Sequence, residues 1–139
     1  MDVVFLIARI LFAFIFILSA IGHITKADAM AQFAAYKGAP GGKFGVIASG
    51  ITFGLGAIMV AFGIYGDLGA LLIFATLIPV TCFMHAYWKE SDAQAKQGDQ
   101  VMFNKNLGLM GGALAFFLLF SSQAADLGLT IVGPLFNLN

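Results

Sequence analysis

Long apolar segments separated by short polar stretches dominate the sequence. Uncharged segments of helix length occur four times, at 10–25, 44–66, 68–88 and 106–125. The first of them extends back to Val3, and only Arg9 interrupts it. Crossing the hydrocarbon core of a bilayer takes about 20 apolar residues in a helix. The pattern therefore predicts four transmembrane helices, at about 3–24, 45–65, 68–88 and 106–124.

The stretch between the first two predicted helices, "KADAMAQFAAYKGAPGG", has a periodicity of its own. Met30, Phe33 and Ala34 stand at i, i+3 and i+4, which places them on one face of a helix. The glycines and the proline that follow would end such a helix. We therefore expect a short amphipathic helix lying on the membrane surface.

The other polar stretches predict loops. In "ESDAQAKQGDQ", Ser91 can cap a helix and Gly98 can stop one, so we expect a solvated excursion. The tail 125–139 is too short to span a bilayer and contains Pro134. The expected fold is all-α: a single transmembrane domain over 1–139, built as a four-helix bundle with a short interfacial helix between helices 1 and 2.

Composition supports a membrane protein. Charged residues make up 10% of the chain, where about 25% is usual in soluble domains, and hydrophobic residues make up 60%. Seven Lys and Arg balance seven Asp and Glu, so no basic surface for nucleic acid is expected. The N-terminal region carries Asp2 and no lysine, unlike the basic start of a signal peptide, so we expect helix 1 to be retained.

Charge asymmetry predicts an orientation. All lysines lie in the two connections that follow helices 1 and 3: Lys26, Lys37, Lys43, Lys89, Lys96 and Lys105. The opposite side carries Asp2, Asp67 and Asp126 and no lysine. By the positive-inside rule, both lysine-bearing connections are cytoplasmic and both termini lie outside.

Polar residues at one membrane level form the candidate site. Ser19 and His23 share a face of helix 1, and His85 stands near the end of helix 3. The topology brings both histidines to the lysine-bearing side, where helix 4 begins. We take His23 and His85 as the catalytic candidates. The candidate binding residues are Ser19, Trp88, Asn104, Lys105 and Asn106. Alternatively, each histidine only caps a helix end or binds a carbonyl at headgroup level.

The chemistry of two imidazoles leaves several ligands open. They can ligate a metal or haem, hydrogen-bond a quinone and exchange protons with it, or hold an anion together with the lysines. No HxxxH or HExxH spacing occurs, so a metal site is not expected. The chain has no GxGxxG or P-loop motif, and its single cysteine excludes a CxxC pair. Electrons would therefore come from an external carrier.

Arg9 and the glycines need separate interpretations. Arg9 lies two turns into helix 1 from the outer side, near the three outer aspartates. It either forms a salt bridge that orients the helix or lines a second, outer pocket. The GxxxG patterns at Gly50/Gly54 and Gly108/Gly112 are typical of close helix packing.

Several of these segments together resemble the DoxX family of small four-helix membrane proteins. They are "ARILFAFIFILSAIGHITK", the Gly-rich helix after "YKGAP", "GALLIFATLIPVTCFMHAYW" and "FNKNLGLMGGAL". The likeness extends from about Ile7 to about Leu119. The recurring positions are Arg9, Gly22, His23, His85, Trp88, Asn104, Lys105, Asn106 and Gly111. The family takes its name from a membrane subunit linked to thiosulfate:quinone oxidoreductase, so the resemblance implies a redox-linked role in a membrane, for which a bacterial inner membrane fits.

Two hypotheses about function follow. The first is a component of a quinone-linked membrane redox system with a polar pocket at the cytoplasmic end. If enzymatic, it is an oxidoreductase subunit that works with a membrane or peripheral redox partner and binds quinone. The alternative is a non-enzymatic scaffold or assembly subunit of a larger membrane complex. The sequence leaves open whether the chain forms homo-oligomers.

Overall fold

The computed structural model describes residues 2–122 and 127–138, and it is mainly helical. The helices are α1 (Asp2–Thr25), α2 (Ala27–Tyr36), α3 (Gly42–Phe62), α4 (Gly66–Met84) and α5 (Ala93–Ser122). A 3₁₀ turn at Tyr87–Lys89 follows α4. The described part of the chain has no strand, only one isolated bridge between Ile64 and Val132. Four segments are long and apolar enough to cross a membrane, and the prediction of an all-α bundle with a short helix after helix 1 is confirmed.

The core lies between the four long helices and contains aromatic and small side chains. Phe16 of α1 packs on Phe53 of α3, with ring centroids 5.4 Å apart. Phe116 of α5 closes the bundle against Phe12 of α1 at 4.9 Å. Ala57 and other small residues are fully buried beside these rings. Since lipid removes most of the hydrophobic drive between helices, this close packing is what holds the bundle together.

Glycines allow two of the helix contacts. A Cβ at Gly50 would lie 2.6 Å from the Cβ of His23, so α1 and α3 approach closely there. A Cβ at Gly56 would lie 2.7 Å from the carbonyl oxygen of Gly69 in α4. The predicted GxxxG pattern at Gly50/Gly54 therefore packs α3 against α1 of the same chain. In α5 only Gly112 has a neighbour, Phe12 at 3.2 Å, whereas a Cβ at Gly108 would meet nothing within 4 Å.

Helix α4 ends earlier than its apolar pattern suggests. The prediction continued this helix to 88, but its last residue is Met84, and His85 leaves the helical conformation. Tyr87 and Trp88 turn away to pack edge-on against Phe103 of α5, at 5.5 and 5.6 Å. Packing against α5 therefore replaces the last turn that hydropathy alone would favour.

Helix α5 begins much earlier than predicted. The stretch expected to be a loop is helical from Ala93, and Gly98 lies inside the helix instead of stopping it. The cap is Asp92, not Ser91: its carboxylate accepts the backbone N–H of Ala95 at 2.8 Å. With 30 residues, α5 is about 45 Å long and exceeds the hydrocarbon core by about 15 Å. Its polar first turns therefore extend beyond the other helices at the lysine-bearing end.

The short helix α2 covers the bundle at this same end. Its buried residues are Ala27 and Ala34, which cluster with Val46 of α3. Met30 and Met84 pack against this cluster from α2 and α4. Met30 and Ala34 of the apolar face predicted from periodicity therefore pack on the bundle, whereas Phe33 is 50% exposed; all three line one wall of a cleft.

The C-terminal segment folds back over the opposite end. The backbone N–H groups of Ile131 and Val132 donate to the carbonyls of Phe62 and Gly63 at 3.2 and 3.0 Å. Leu138 donates to Ser121 at 3.1 Å. The segment 127–138 therefore forms a cap over the ends of α3 and α5. The predicted end of helix 4 at 124, the start of the tail at 125 and Asp126 lie outside the described residues.

Candidate functional site

Two adjoining cavities occupy the lysine-bearing half of the bundle. The larger one, called the cleft, has a volume of about 430 Å³ and lies between α2, α3 and α4. Its walls are mainly apolar and include Phe33, Pro79 and Phe83. The smaller one, called the inner cavity, has a volume of about 180 Å³ and lies between α1, α3, α4 and α5. His23 and His85 line both cavities.

Pro79 shapes the wall of the cleft. A proline inside a helix has no N–H to donate, so the carbonyl one turn earlier lacks its usual partner. Two hydroxyl groups meet nearby, between α3 and α4. Thr76 donates to the carbonyl of Leu72 at 2.7 Å, and its oxygen lies 3.0 Å from the hydroxyl oxygen of Thr52. Thr76 itself lines the cleft, so this mostly apolar volume has a hydroxyl on one side.

His23 is fixed in the inner wall by α3. Its Nδ1 lies 2.9 Å from the hydroxyl of Ser49 and 3.2 Å from the carbonyl of Val46. Phe53 packs edge-on against the imidazole at 5.9 Å. The absence of a side chain at Gly50 gives the ring room between α1 and α3. The histidine is therefore held at one edge, through Nδ1, and half-buried.

His85 stands at the end of α4 and is held by α5. Its Nδ1 lies 3.4 Å from Oδ1 of Asp99, at the outer limit of a hydrogen bond. The early end of α4 and the early start of α5 together create this contact. Had the two boundaries fallen where the sequence predicted them, Asp99 would lie in a solvated loop.

Asp99 also belongs to a small ion network. Lys37, just after α2, lies 2.6 Å from Asp99 and 2.5 Å from Glu90. Its side chain is only 11% exposed. Hydrogen bonds to these two carboxylates raise the pKa of Lys37 above its ordinary value. A raised folded-state pKa means that Lys37 is charged and paired at neutral pH, and that its contribution to stability is lost as the pH rises into the strongly alkaline range.

Three further predicted residues line the inner cavity: Ser19, Lys105 and Asn106. Asn106 is buried, and its amide donates to the hydroxyl of the equally buried Thr81 at 3.0 Å. Lys105 is exposed, with its ammonium 3.5 Å from the sulfur of Met102. The structure thus brings together two histidines, a serine, a lysine and an asparagine from three helices.

Two predicted binding residues lie elsewhere. Trp88 lies in the 3₁₀ turn after α4, packs against Phe103 and is 53% exposed. Asn104 is exposed on α5 and lines neither cavity. The described residues contain no group of three His, Cys, Asp or Glu side chains that could hold a metal ion.

Arg9 lies at the other end of the bundle and is completely buried. Its Nη2 donates to the carbonyl of Leu129 in the C-terminal segment at 2.7 Å, and its guanidinium lies 5.2 Å from the ring centre of Phe5. Within the described ranges Arg9 has no salt bridge with Asp2 or Asp67, and Asp126 lies outside those ranges. The two predicted roles of Arg9, a helix-orienting salt bridge or the lining of an outer pocket, therefore stay predictions. Asp67 instead accepts the N–H groups of Leu135 and Phe136 at 3.0 and 2.6 Å.

Sequence reasoning missed Lys37, Glu90 and Asp99 as partners of the site. Each is charged and was assigned to a loop, where charges are normally solvated. The sequence does contain a signal for the start of α5. An aspartate just before a helix commonly accepts the backbone N–H three residues later, as Asp92 does from Ala95. Extending the helix back to this cap would have put Asp99 two turns before Asn106.

The fold and these contacts define the class: an integral membrane four-helix bundle with two histidines in cavities at one end. The family model of DoxX matches residues 4–86, which span α1 to α4 and include both histidines. The chain therefore belongs to the DoxX family. The match ends before α5, so Lys105 and Asn106 lie beyond it. Neither the curated proteins nor the solved structures contain a match to this chain.

Proposed function

We propose that this DoxX protein is a component of a quinone-linked membrane redox system, with the quinone ring bound between His23 and His85. The observation that carries the proposal is the position of both imidazoles on the walls of the cleft and of the inner cavity. A volume of about 430 Å³ falls within the range of small-molecule sites, about 300–1,000 Å³. Apolar walls with a few convergent polar groups suit a ring with polar oxygens.

The proposed roles follow from the contacts. His23 and His85 hydrogen-bond the ring oxygens and exchange protons with them. Ser19, Lys105 and Asn106 complete the polar wall, and the apolar cleft between α2 and α4 receives the remaining part of the molecule. Asp99, bonded to His85, connects this histidine to the charged surface and gives the proton a route to water.

Electrons in this scheme pass to or from a membrane or peripheral redox partner. Interconversion of a quinone and its hydroquinone moves two electrons and two protons; the histidines handle the protons and the partner handles the electrons. We place the lysine-bearing end in the cytoplasm, with both termini outside, in a bacterial inner membrane, since positive charge favours the cytoplasmic side. Association into homo-oligomers is compatible with this arrangement.

The test is mass spectrometry of the small molecules that copurify with the protein in mild detergent. Wild type is compared with His23→Ala and His85→Ala, and Asn104→Ala serves as the control because this residue lines neither cavity. We expect near-stoichiometric quinone in wild type and Asn104→Ala, and its loss from both histidine variants. Ordinary lipid alone, unchanged by any substitution, would contradict the proposal and favour the scaffold function.

A further inference from the structure

The contacts of His23 determine which ring nitrogen carries its proton. A backbone carbonyl can only accept, and the single hydrogen of the Ser49 hydroxyl donates to the carbonyl of Val46 at 2.9 Å. The Ser49 oxygen, 2.9 Å from Nδ1, is thus left to accept. Nδ1 of His23 must therefore carry the hydrogen, and Nε2 of the neutral ring has a free lone pair.

The contacts of His85 also determine which of its ring nitrogens carries a hydrogen. Its Nδ1 faces Oδ1 of Asp99 at 3.4 Å, and the other oxygen of this carboxylate lies 2.6 Å from the ammonium of Lys37. An ion pair of this kind keeps Asp99 ionised, and an ionised carboxylate only accepts hydrogen bonds. Nδ1 of His85 therefore carries the hydrogen, and in the neutral ring its Nε2 also has a lone pair.

The two histidines thus offer hydrogen-bond acceptors to a molecule in the cavities they share. A hydroquinone has two hydroxyl groups on opposite sides of its ring and can donate to both imidazoles. An oxidised quinone has only carbonyl oxygens, whose lone pairs would face the lone pairs of the two Nε2 atoms. Lys105, on the wall of the inner cavity, can donate to an oxygen of either form and does not discriminate between them.

We infer that the site selects the reduced, hydroxyl-bearing form of its ring ligand, and that Asp99 is the residue that sets this selectivity through His85. The inference rests on the proposed function and adds the redox form of the ligand. Asp99 is a positioning residue, because it contacts His85 and Lys37 and lines neither cavity.

The substitution Asp99→Asn tests whether Asp99 sets the selectivity through His85 or only pairs with Lys37. An asparagine amide can donate to Nδ1, which moves the histidine hydrogen to Nε2 and turns the ring into a donor that suits a carbonyl. The matched control is Glu90→Gln, which removes the other carboxylate of Lys37 and leaves the contact between Asp99 and His85 in place. Only the first variant is expected to change the preference for the reduced form.

The experiment measures the dissociation constants of decylubiquinone and of its hydroquinone for the full-length protein in detergent, without oxygen and with a reductant for the hydroquinone. We expect wild type and Glu90→Gln to bind the hydroquinone at least about tenfold more tightly, a difference of about 1.4 kcal/mol. In Asp99→Asn the ratio should fall severalfold.

Each other outcome has a distinct meaning. Histidine-dependent binding with equal or higher affinity for the oxidised form would overturn the inference and leave the proposed function standing. An unchanged ratio in Asp99→Asn would overturn the role of Asp99, and the wild-type ratio tests the selectivity even if this variant fails to fold. Binding of neither form, or binding unaffected by His23→Ala and His85→Ala, would overturn the proposed function itself.

Discussion

The two ends of the bundle use buried polar side chains in opposite ways. At the end covered by the C-terminal segment, Arg9 and Asp67 are fully buried and bind backbone groups of that segment. At the lysine-bearing end, Lys37 pairs with Glu90 and Asp99, and two half-buried histidines line cavities. A buried polar group that binds its own backbone fixes the fold. A buried polar group with a donor or acceptor atom facing a cavity can bind a ligand.

The covered end gives the prediction with the largest effect on stability. Asp67→Ala removes a carboxylate that accepts two backbone N–H groups, those of Leu135 and Phe136. We expect a loss of about 3–6 kcal/mol, because each of the two hydrogen bonds to a charged group contributes about 1.5–3 kcal/mol. Denaturant titration in detergent measures this loss. An unchanged unfolding free energy would show that the C-terminal segment does not stabilise the bundle.

The contact between the end of α3 and the start of α4 provides a second, smaller test. In Gly56→Ala the added methyl group would meet the backbone of Gly69 and the side chain of Ile73, both within 2.8 Å. We expect α3 and α4 to separate slightly, at a cost of about 1–3 kcal/mol. Gly108→Ala is the control, since nothing lies within 4 Å of its Cβ. Similar melting temperatures for the two variants would contradict the packing described for α3 and α4.

Substitutions at the lysine-bearing end are expected to change the affinity for the ligand more than the stability of the fold. His23→Ala removes one of the two imidazoles and should weaken hydroquinone binding about tenfold, the value of one lost hydrogen bond of about 1.4 kcal/mol. His23→Asn can still donate to Ser49 and Val46 and tests whether the ring itself matters. Equal affinity in wild type and both variants, measured by titration, would exclude His23 from the site.

The smallest effect is expected for Glu90→Gln. Glu90 is 18% exposed and shares Lys37 with Asp99, so one of two carboxylates remains after the substitution. Partly exposed ion pairs contribute about 0–1 kcal/mol, and we expect a change in melting temperature near the limit of detection. A large destabilisation would mean that the ion network, and not the packing of α2 on α3, secures this end.

The spans were predictable from the sequence because twenty apolar residues in a row have few alternatives to crossing a membrane. The boundaries of α4 and α5 were not. Tyr87 and Trp88 leave α4 to pack on Phe103, and this contact joins residues that a local pattern cannot relate. Helix α5 continues through Gly98 although glycine disfavours a helix by about 1 kcal/mol.

The candidate site was predictable in part for the same reason. His23, His85 and Asn106 share one membrane level in any antiparallel arrangement of four spans, so topology alone brought them near each other. The contact of Asp99 with His85 was not predicted, because the segment that contains Asp99 was expected to be a loop. The contacts of Arg9 and Asp67 with residues 127–138 join positions at least 68 residues apart, and a periodic sequence pattern cannot predict contacts at such a separation.

Two variants, each measured for ligand content and for stability, show whether one end binds a ligand while the other end holds the fold. His85→Ala and Asp67→Asn are purified in parallel, and their content of copurified quinone and their melting temperatures are compared with wild type. We expect His85→Ala to lose the quinone and to melt like wild type, whereas Asp67→Asn should melt at a lower temperature and keep the quinone while folded. If both variants lose quinone and stability together, the two ends do not have separate roles.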